Sequence, residues 1–252
     1  MTAAGGGGRP ILGPGDYLSL LEDEGLVNRE GWPTELVLSI GSPVAPRRGR
    51  MRRSTGRFRP TPWGPLRKVG PGLGHLVTPM MGGAAMASLA ELVVELGTRR
   101  IILVGSCGSL VSELESGAIV TVDSALATEG PSGAYGFGPV VPGSEELAVD
   151  VSHRLGGRGS EPDSIERLRG WTVASPFLTT PTLRDAAVSA GARVVEMEAA
   201  SLFAVAIRRR VDAVVVGVVA DGLGGTEWSA PDLSRTGIRL AEVVSALVGE
   251  GA

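Results

Sequence analysis

Three carboxylate side chains stand where the sequence predicts the ends of strands. Glu196 and Glu198 bracket Met197 at the point where an apolar strand gives way to an alanine-rich helix, and Asp221 follows the run AVVVGVVA. A carboxylate can accept hydrogen bonds from two hydroxyl groups at once, which suits a sugar cis-diol. A carboxyl group at the end of an apolar strand is partly desolvated, which suits a general acid.

Each of these carboxylates also has an ordinary structural interpretation. The two glutamates would place favourable acidic charge in the first turn of a helix, and Asp221 would cap a turn that starts at Gly222. Because Glu196 and Glu198 occupy alternate positions, their side chains leave in different directions. We therefore expect one of them to face a pocket and the other to be solvated or paired.

A Gly/Ser-rich segment forms a candidate anion site. Gly105-Ser106-Cys107-Gly108 follows the apolar strand Ile101–Val104. Small residues let backbone N–H groups approach an anion, and the Ser106 hydroxyl adds a donor. The segment is not a Walker loop, since no Gly-Lys-Ser/Thr follows it. An ordinary tight turn is the alternative.

The elements that position these motifs alternate between strands and helices. Strands are predicted near residues 35–40, 75–78, 101–104, 119–122, 171–174, 193–196 and 213–220, and helices near residues 17–26, 83–96, 145–155, 182–190, 197–209 and 233–248. Most of the strands are apolar throughout, which predicts a single α/β domain with a central mixed, largely parallel sheet and helices on both faces. Residues 1–15 are expected to form a flexible tail and residues 16–252 the domain. Ligands of such sheets bind beyond the carboxyl ends of the strands, where the three motifs converge.

Composition excludes several classes of function. The chain has 252 residues, a net charge of -3 and a pI near 5.6, so the protein as a whole should not favour nucleic acid or anionic membranes. One cysteine and two dispersed histidines predict no disulfide and no metal site. No apolar run reaches the roughly 20 residues of a membrane span, and the N-terminus lacks a signal-peptide pattern. We expect a cytoplasmic protein.

An arginine cluster between residues 47 and 59 is the local exception to the acidic balance. Gly49, Pro60, Pro62 and Pro65 in and after it exclude a long helix there. The cluster is interpreted either as an anion-binding segment or as a solvated or nucleic-acid-binding loop.

Three segments, in this order and with these intervals, resemble the nucleoside phosphorylase family, which includes purine nucleoside phosphorylases, uridine phosphorylases and methylthioadenosine nucleosidases. They are VGSCGSL (104–110), VVEMEAASLFAVA (194–206) and VVVGVVADG (214–222), with MMGG (80–83) as a weaker fourth. The resemblance spans roughly residues 35 to 250. It implies the fold of that family and cleavage of an N-glycosidic bond through an oxocarbenium-like transition state.

The resemblance also implies roles for individual residues. Glu198 would accept hydrogen bonds from the ribose hydroxyls, with Met197 beneath the sugar and Glu196 beside them. Asp221 resembles the acid that protonates a purine at N7, and Phe177 resembles the aromatic residue that stacks on the base, although a buried core phenylalanine is the alternative. Cys107 and Gly108 would line the base pocket, while Ser106, Gly41, Arg47 and Arg53 would hold phosphate. No cofactor is implied besides phosphate as co-substrate.

One position departs from the family pattern. Phosphorolytic members place an arginine two residues before the glycine of the Gly-Ser turn, and this chain has Leu103 there. An apolar side chain cannot neutralise a phosphate dianion. Either the arginine cluster supplies the charge, Arg53 by entering a neighbouring subunit's site, or water replaces phosphate and the enzyme is a nucleosidase. Hydrolysis needs a base, for which Glu35 and Glu129 are weak candidates.

We therefore expect phosphorolysis of a purine nucleoside, with hydrolysis of an adenine-type or specialised nucleoside as the first alternative. A non-catalytic nucleoside-binding protein is the second alternative. The family builds its sites at subunit interfaces, which implies a homo-oligomer based on dimers, up to a hexamer. Pro14-Gly15-Asp16 competes with Gly41-Ser42-Pro43 as the first phosphate loop, and Gly41 is preferred because a strand precedes it. The pair Glu227-Trp228 has no counterpart in the family pattern and is expected to shape the base pocket or a subunit contact.

Overall fold

The computed structural model describes residues 10–41, 58–156, 165–225 and 227–249. Strands and helices alternate through most of this chain. The strands are β1 (Glu35–Ile40), β2 (Phe58–Thr61), β3 (Gly64–Gly70), β4 (Leu73–Thr78), β5 (Arg100–Ser109), β6 (Ile119–Ala127), β7 (Val140–Pro142), β8 (Glu166–Thr172), β9 (Ala192–Glu196) and β10 (Asp212–Gly222). The helices are α1 (Pro14–Asp23), α2 (Gly83–Glu95), α3 (Pro131–Ala134), α4 (Glu145–Gly156), α5 (Pro181–Ser189), α6 (Ala199–Arg209) and α7 (Leu233–Leu247).

The sheet is organised around β5. This strand runs parallel to β1 on one side and to β10 on the other, and its last two residues pair with β9 in the antiparallel sense. Strand β10 also pairs with β6, β6 with β8, and β8 with β9. Strands β5, β10, β6, β8 and β9 therefore close a ring, from which β1, β4, β3 and β2 extend as an open sheet.

Helices cover the sheet on both faces, as the sequence predicts for strands that are apolar throughout. Side chains of α2 and α6 pack with Leu36, Leu103 and Val215 in one core cluster. Side chains of α4 and α7 pack on the other face with Ile102 and Val216. A third, smaller cluster joins α5 to the ends of β8 and β9. The mixed α/β sheet between two helical layers is confirmed.

Helix α1 contains one of the two candidate phosphate loops. Pro14 occupies its first turn, where a missing N–H costs nothing, and the Asp16 carboxylate accepts a hydrogen bond from the Gly13 N–H at 2.9 Å. Pro14-Gly15-Asp16 is thus a helix start, whereas Gly41 follows a strand. The preference for Gly41 as the phosphate loop stays a prediction. Helix α1 begins inside the predicted tail, at Pro14, and residues 1–9 of that tail lie outside the described residues.

Two segments differ from the sequence-based prediction. Residues 105–109 continue β5 instead of forming a turn, because they pair with β10 over residues 217–222. Phe58–Thr61 and Gly64–Gly70 form a hairpin that the prolines in this region did not suggest. Its register places Pro60 opposite Pro65 at the outer edge of the sheet, where a missing backbone donor is tolerated.

Two kinds of feature are absent from the described ranges. No helix there is long and apolar enough to cross a membrane. No group of three or more His, Cys, Asp and Glu side chains is arranged to hold a metal ion in that part of the chain.

Candidate active site

Four of the predicted residues, Gly108, Met197, Glu198 and Asp221, lie at or just beyond the carboxyl ends of β5, β9 and β10. Gly108 near the end of β5 pairs with Val195 of β9 on one side and with Asp221 of β10 on the other. Met197 and Leu223 pack on the same apolar cluster as Val195. Since Met197 precedes Glu198 and Leu223 lies two residues beyond Asp221, the two proposed functional carboxylates belong to one region of the molecule.

Glu198 is buried at the start of α6. Its Oε1 accepts a hydrogen bond from the Gly82 N–H at 2.6 Å, and its Oε2 accepts from the Met197 N–H at 3.3 Å. Burial raises the pKa of Glu198, and the two backbone donors oppose that rise. A carboxylate offers about four acceptor positions, so two N–H groups fix its orientation and leave acceptor capacity for a diol.

Glu196 has a different environment, although it stands only two residues away. Its Oε2 accepts from the N–H groups of Glu198 and Ala199 at 2.7 and 2.6 Å, and its Oε1 accepts from the Thr172 hydroxyl. These donors include the free N–H groups at the start of α6, which every helix must satisfy. Glu196 therefore caps the helix that carries Glu198, and its oxygens are already engaged by protein donors. Its predicted contact with substrate finds no support in these hydrogen bonds.

The charge state of Glu196 is also distinctive. Burial, and secondly the neighbouring Glu198 carboxylate, raise its pKa from 4.5 to about 7, against the opposing effect of its hydrogen-bond donors. Two carboxylates this close in a dry environment resist simultaneous ionisation. With a pKa of about 7, Glu196 is only partly ionised near neutral pH in the folded chain.

Asp221 is half-buried at the end of β10. Its Oδ1 lies 2.9 Å from the position that a Cβ on Gly108 would occupy, and Leu223 Cδ1 lies 2.6 Å from the same point. Only glycine at 108 leaves room for this packing. The other oxygen, Oδ2, accepts a hydrogen bond from the indole N–H of Trp228 at 2.6 Å.

Cys107 points away from Asp221, into the core. Its Sγ lies 2.8 Å from the position that a Cβ on Gly217 would occupy, and the side chain belongs to the core cluster of α2 and α6. Burial, and then the charges of Glu196 and Asp221, raise the pKa of the thiol above its ordinary value. The thiol is thus a neutral packing group, and any contact of Cys107 with substrate would come from its backbone.

The predicted phosphate residues are only partly described. Gly41 and Ser106 line one cavity of about 210 Å³ against α7, together with Thr236 and several apolar side chains. The buried Thr236 hydroxyl has no hydrogen-bond partner among the described residues. Gly41 adopts a φ of 80° and donates its N–H to the Thr78 carbonyl at 2.9 Å. Arg47 and Arg53 lie outside the described residues.

Four further positions complete the comparison with the sequence. Met197 is half-buried, and its Cε lies 3.9 Å from the position of a Cβ on Gly82. Phe177 is 94% exposed, which excludes the alternative of a core phenylalanine. Leu103 is buried in the core cluster of α2 and α6. Glu35 lies at the amino end of β1, away from the strand ends that carry the site, and it pairs with Arg100 and Arg154 at 3.0 and 2.7 Å.

Sequence reasoning did not find three contributors to this site. The Gly82 N–H, the Thr172 hydroxyl and the Trp228 indole each contact one of the carboxylates. MMGG was noted as a motif and Trp228 as an unexplained residue, so both carried a signal. Thr172 carried none, because its contact depends on the parallel register that places it opposite Glu196.

The chain is similar to known proteins in sequence. The profile of the Phosphorylase superfamily matches residues 69–250. A DeoD-type purine nucleoside phosphorylase of Jannaschia sp. (strain CCS1) is 28% identical over 168 residues, which cover 64% of this chain and 70% of that protein.

Three solved structures share the fold. A futalosine hydrolase mutant of Helicobacter pylori strain 26695 has a TM-score of 0.66 at 16% identity, covering 87% of this chain and 100% of its own. A putative methylthioadenosine nucleosidase of Weissella paramesenteroides ATCC 33313 has a TM-score of 0.63 at 19% identity, with 87% and 100% covered. An AMP nucleosidase of Bacteroides thetaiotaomicron VPI-5482 has a TM-score of 0.62 at 17% identity, with 86% and 91% covered. The chain belongs to the Phosphorylase superfamily and is an enzyme of the nucleoside phosphorylase and nucleosidase kind.

Proposed function

We propose that the chain cleaves the N-glycosidic bond of a purine nucleoside and that phosphate is the nucleophile. The observation that carries the proposal is the pairing of Gly108 with both Val195 and Asp221. This pairing brings the strand that leads into Glu198 and the strand that ends in Asp221 to the two sides of one glycine. A sugar-binding carboxylate and an acid for the base are needed at neighbouring positions in such a reaction.

The two carboxylates would act at different ends of the scissile bond. Glu198, held by the N–H groups of Gly82 and Met197, would accept from the ribose hydroxyls and stabilise the positive charge that develops on the sugar. Asp221 would donate a proton to the base as the bond breaks, so that the base leaves as a neutral molecule. Uridine-type members of the family lack this acid, which is why we propose a purine.

The phosphate would lie at the cavity shared by Gly41 and Ser106. The Ser106 hydroxyl and the buried Thr236 hydroxyl, which has no hydrogen-bond partner among the described residues, are the donors that this cavity offers to an anion. The described lining contains no basic side chain, and a phosphate dianion needs matched positive charge. We propose that Arg47 and Arg53, which follow β1 in sequence, supply it.

Hydrolysis is the second candidate, and the burial of Leu103 favours it. The family's phosphate-binding arginine position is here filled by a core side chain. A water nucleophile would need a base, and the two candidates differ. Glu35 is ion-paired with Arg100 and Arg154 at the amino end of β1. Glu129 is buried, and its Oε1 accepts from Ser201 and from the Ser132 N–H, while its Oε2 has no hydrogen-bond partner among the described residues and is the candidate base for hydrolysis. We rank phosphorolysis first because the Ser106 and Thr236 hydroxyls offer donors for an anion at the Gly41 cavity.

A nucleoside panel assayed with and without phosphate tests both candidates. Purine nucleosides should release free base and ribose 1-phosphate only when phosphate is present, as read by chromatography. Arg47→Ala and Arg53→Ala should each raise the KM for phosphate by about 10-fold, the loss expected for one charge-assisted hydrogen bond. Arg29→Ala is the matched control, because Arg29 pairs with Glu22 at 2.9 Å beside α1.

Each other result has a defined meaning. Equal base release after rigorous removal of phosphate, with free ribose as product, would assign the chain as a nucleosidase. Cleavage of pyrimidine nucleosides alone would remove the proposed purine specificity. Absence of cleavage across the panel would overturn the proposal.

We also propose that the enzyme works as a homo-oligomer. Ile11, Leu12 and Leu20 are exposed apolar side chains on and beside α1. Leu12 borders a groove of about 780 Å³ that continues to Tyr135 and Arg208. Exposed apolar patches of this kind mark interaction sites. Light scattering coupled to size-exclusion chromatography should give a mass of two or more chains, and a monomer at assay concentration would contradict this proposal.

A further inference from the structure

Trp228 makes a contact with the proposed acid that the mechanism above does not use. Its indole Nε1 donates a hydrogen bond to Asp221 Oδ2 at 2.6 Å. The residue itself is 63% exposed, so burial does not explain its position. The contact is a specific polar one between a surface aromatic ring and a carboxylate at the centre of the candidate site.

Backbone hydrogen bonds bring Trp228 back to Asp221. Gly222 and Ser229 exchange N–H···O bonds of 3.1 and 2.9 Å, which brings the chain next to Trp228 back to the end of β10. The Arg184 guanidinium donates to the carbonyls of Leu223 and Gly225 at 2.9 and 2.6 Å. Leu223 and Gly225 are therefore fastened to α5, and Ser229, the neighbour of Trp228, is fastened to β10.

The two oxygens of Asp221 consequently face different partners. Oδ2 is held by the indole, whereas Oδ1 lies above Gly108, 2.9 Å from the position of an absent Cβ. A carboxyl group rotates broadly about its last torsion when nothing holds it. Holding Oδ2 fixes the plane of the carboxyl group and leaves Oδ1 over Gly108, beside the side chains of Val195 and Leu223.

We propose that Trp228 is a positioning residue for the general acid, an inference that rests on the proposed function. The proton on Oδ1 passes to a ring nitrogen of the purine as the glycosidic bond breaks, and the bonding electron pair leaves with the base. Asp221 becomes a carboxylate in the same step. Because a hydrogen bond to a charged acceptor is stronger than one to a neutral acceptor, the indole N–H stabilises the product of the proton transfer more than its reactant.

A double-mutant cycle on a purine nucleoside tests the proposal. Trp228→Phe keeps an aromatic ring and removes the N–H donor, and kcat should fall by about 10-fold with little change in KM. The same substitution in an Asp221→Ala background should have no further effect on kcat, because the group that it positions is absent. Trp32→Phe is the matched control. It also removes an indole donor, in this case to Thr98 at 3.0 Å, and both residues lie just before the amino ends of β1 and β5.

A second substrate separates positioning from a structural role. A 4-nitrophenyl riboside has a leaving group that departs without a proton, so Trp228→Phe should leave its cleavage within about twofold of the wild-type rate. Two results would overturn the positioning role of Trp228 and leave the proposed function standing. One is an equal loss of kcat on both substrates, and the other is an undiminished effect of Trp228→Phe in the Asp221→Ala background. Unchanged kcat in Trp228→Phe would overturn that role as well. A wild-type chain that cleaves no nucleoside would refute the proposed function, and this inference with it.

Discussion

Replacement of Glu196 by glutamine should change how the stability of the enzyme depends on pH. Glu196 is 6% exposed, and burial together with the Glu198 charge raises its pKa from 4.5 to about 7. Between these two values the folded chain keeps a proton that the unfolded chain has released. The contribution of this group to the free energy of unfolding is therefore fully present below about pH 4.5 and is lost as the pH rises through about 7.

The size of the effect follows from the shift. A rise from 4.5 to about 7 corresponds to a loss on the order of 3 kcal/mol across that interval, since one pKa unit is worth about 1.4 kcal/mol. Glutamine keeps an oxygen for the N–H groups of Glu198 and Ala199 and does not titrate. Relative to wild type, Glu196→Gln should gain stability steadily between pH 5 and pH 8, and the gain should level off above the upper pKa.

Urea unfolding of both proteins at intervals between pH 5 and pH 8 measures this difference directly. The difference between the two free energies isolates residue 196, because the other groups titrate in both proteins. A difference that stays constant across the interval would refute the conclusion that Glu196 holds a proton in the folded chain. A stability gain of Glu196→Gln over wild type that grows toward low pH would mean the opposite. The folded chain would then lower the pKa of Glu196 and stabilise its ionised form.

Three further predictions concern the proposed site. Glu198→Ala should lower kcat/KM for the nucleoside by about 10²-fold, the effect of losing two charge-assisted hydrogen bonds, in steady-state assays; an unchanged value would place the diol elsewhere. Asp221→Asn should slow purine cleavage by on the order of 10²-fold or more. Glu35→Gln is its control, because it removes a carboxylate at the amino end of β1 and should leave the rate unchanged. Cys107 should react with a thiol reagent only after unfolding, because the side chain is buried and its pKa is raised; rapid reaction of the native enzyme would contradict the described packing.

The sequence predicts best where local chemistry decides the structure. Strand β1 has its predicted bounds, Glu35–Ile40, because an apolar run ends there at Gly41. Helix α7 begins at residue 233, as predicted, because Asp232 caps it by accepting from the N–H groups of Ser234 and Arg235 at 3.0 Å each. Both signals lie within a few residues of the feature that they specify.

Prediction fails where partners distant in sequence decide the structure. Gly105-Ser106-Cys107-Gly108 has the composition of a turn, and β10 draws it into a strand. Glu196 and Glu198 look equivalent in sequence. The Glu196 carboxylate accepts from the N–H groups at the start of α6, whereas the Glu198 carboxylate accepts from the N–H of Gly82. Glu196 is paired, as one of the two was expected to be, and the expectation that Glu198 faces a pocket stays a prediction. Which glutamate takes which task depends on how α2 and α6 pack.

The side of the sheet on which Asp221 acts is set by one extra residue in β10. Val219 pairs with Cys107 and Asp221 pairs with Gly108, so Ala220 has no partner on β5. Paired residues of neighbouring strands point to the same face, and a shift of one residue exchanges the faces. Without this bulge, Asp221 would pair with Ser109 and point to the face that carries Cys107.

The bulge instead places the carboxylate beside Gly108, with Val195 and Leu223 around it. The Ala220 carbonyl, which the interrupted pairing frees, accepts a hydrogen bond from the Ser116 hydroxyl at 3.1 Å, so the irregularity costs no unpaired acceptor there. Bulges redirect side chains next to active sites, and this one turns the Asp221 carboxylate toward Val195 of β9, the strand that leads into Glu198. The proposed role of Asp221 as the acid therefore depends on the unpaired Ala220 as much as on the carboxylate itself.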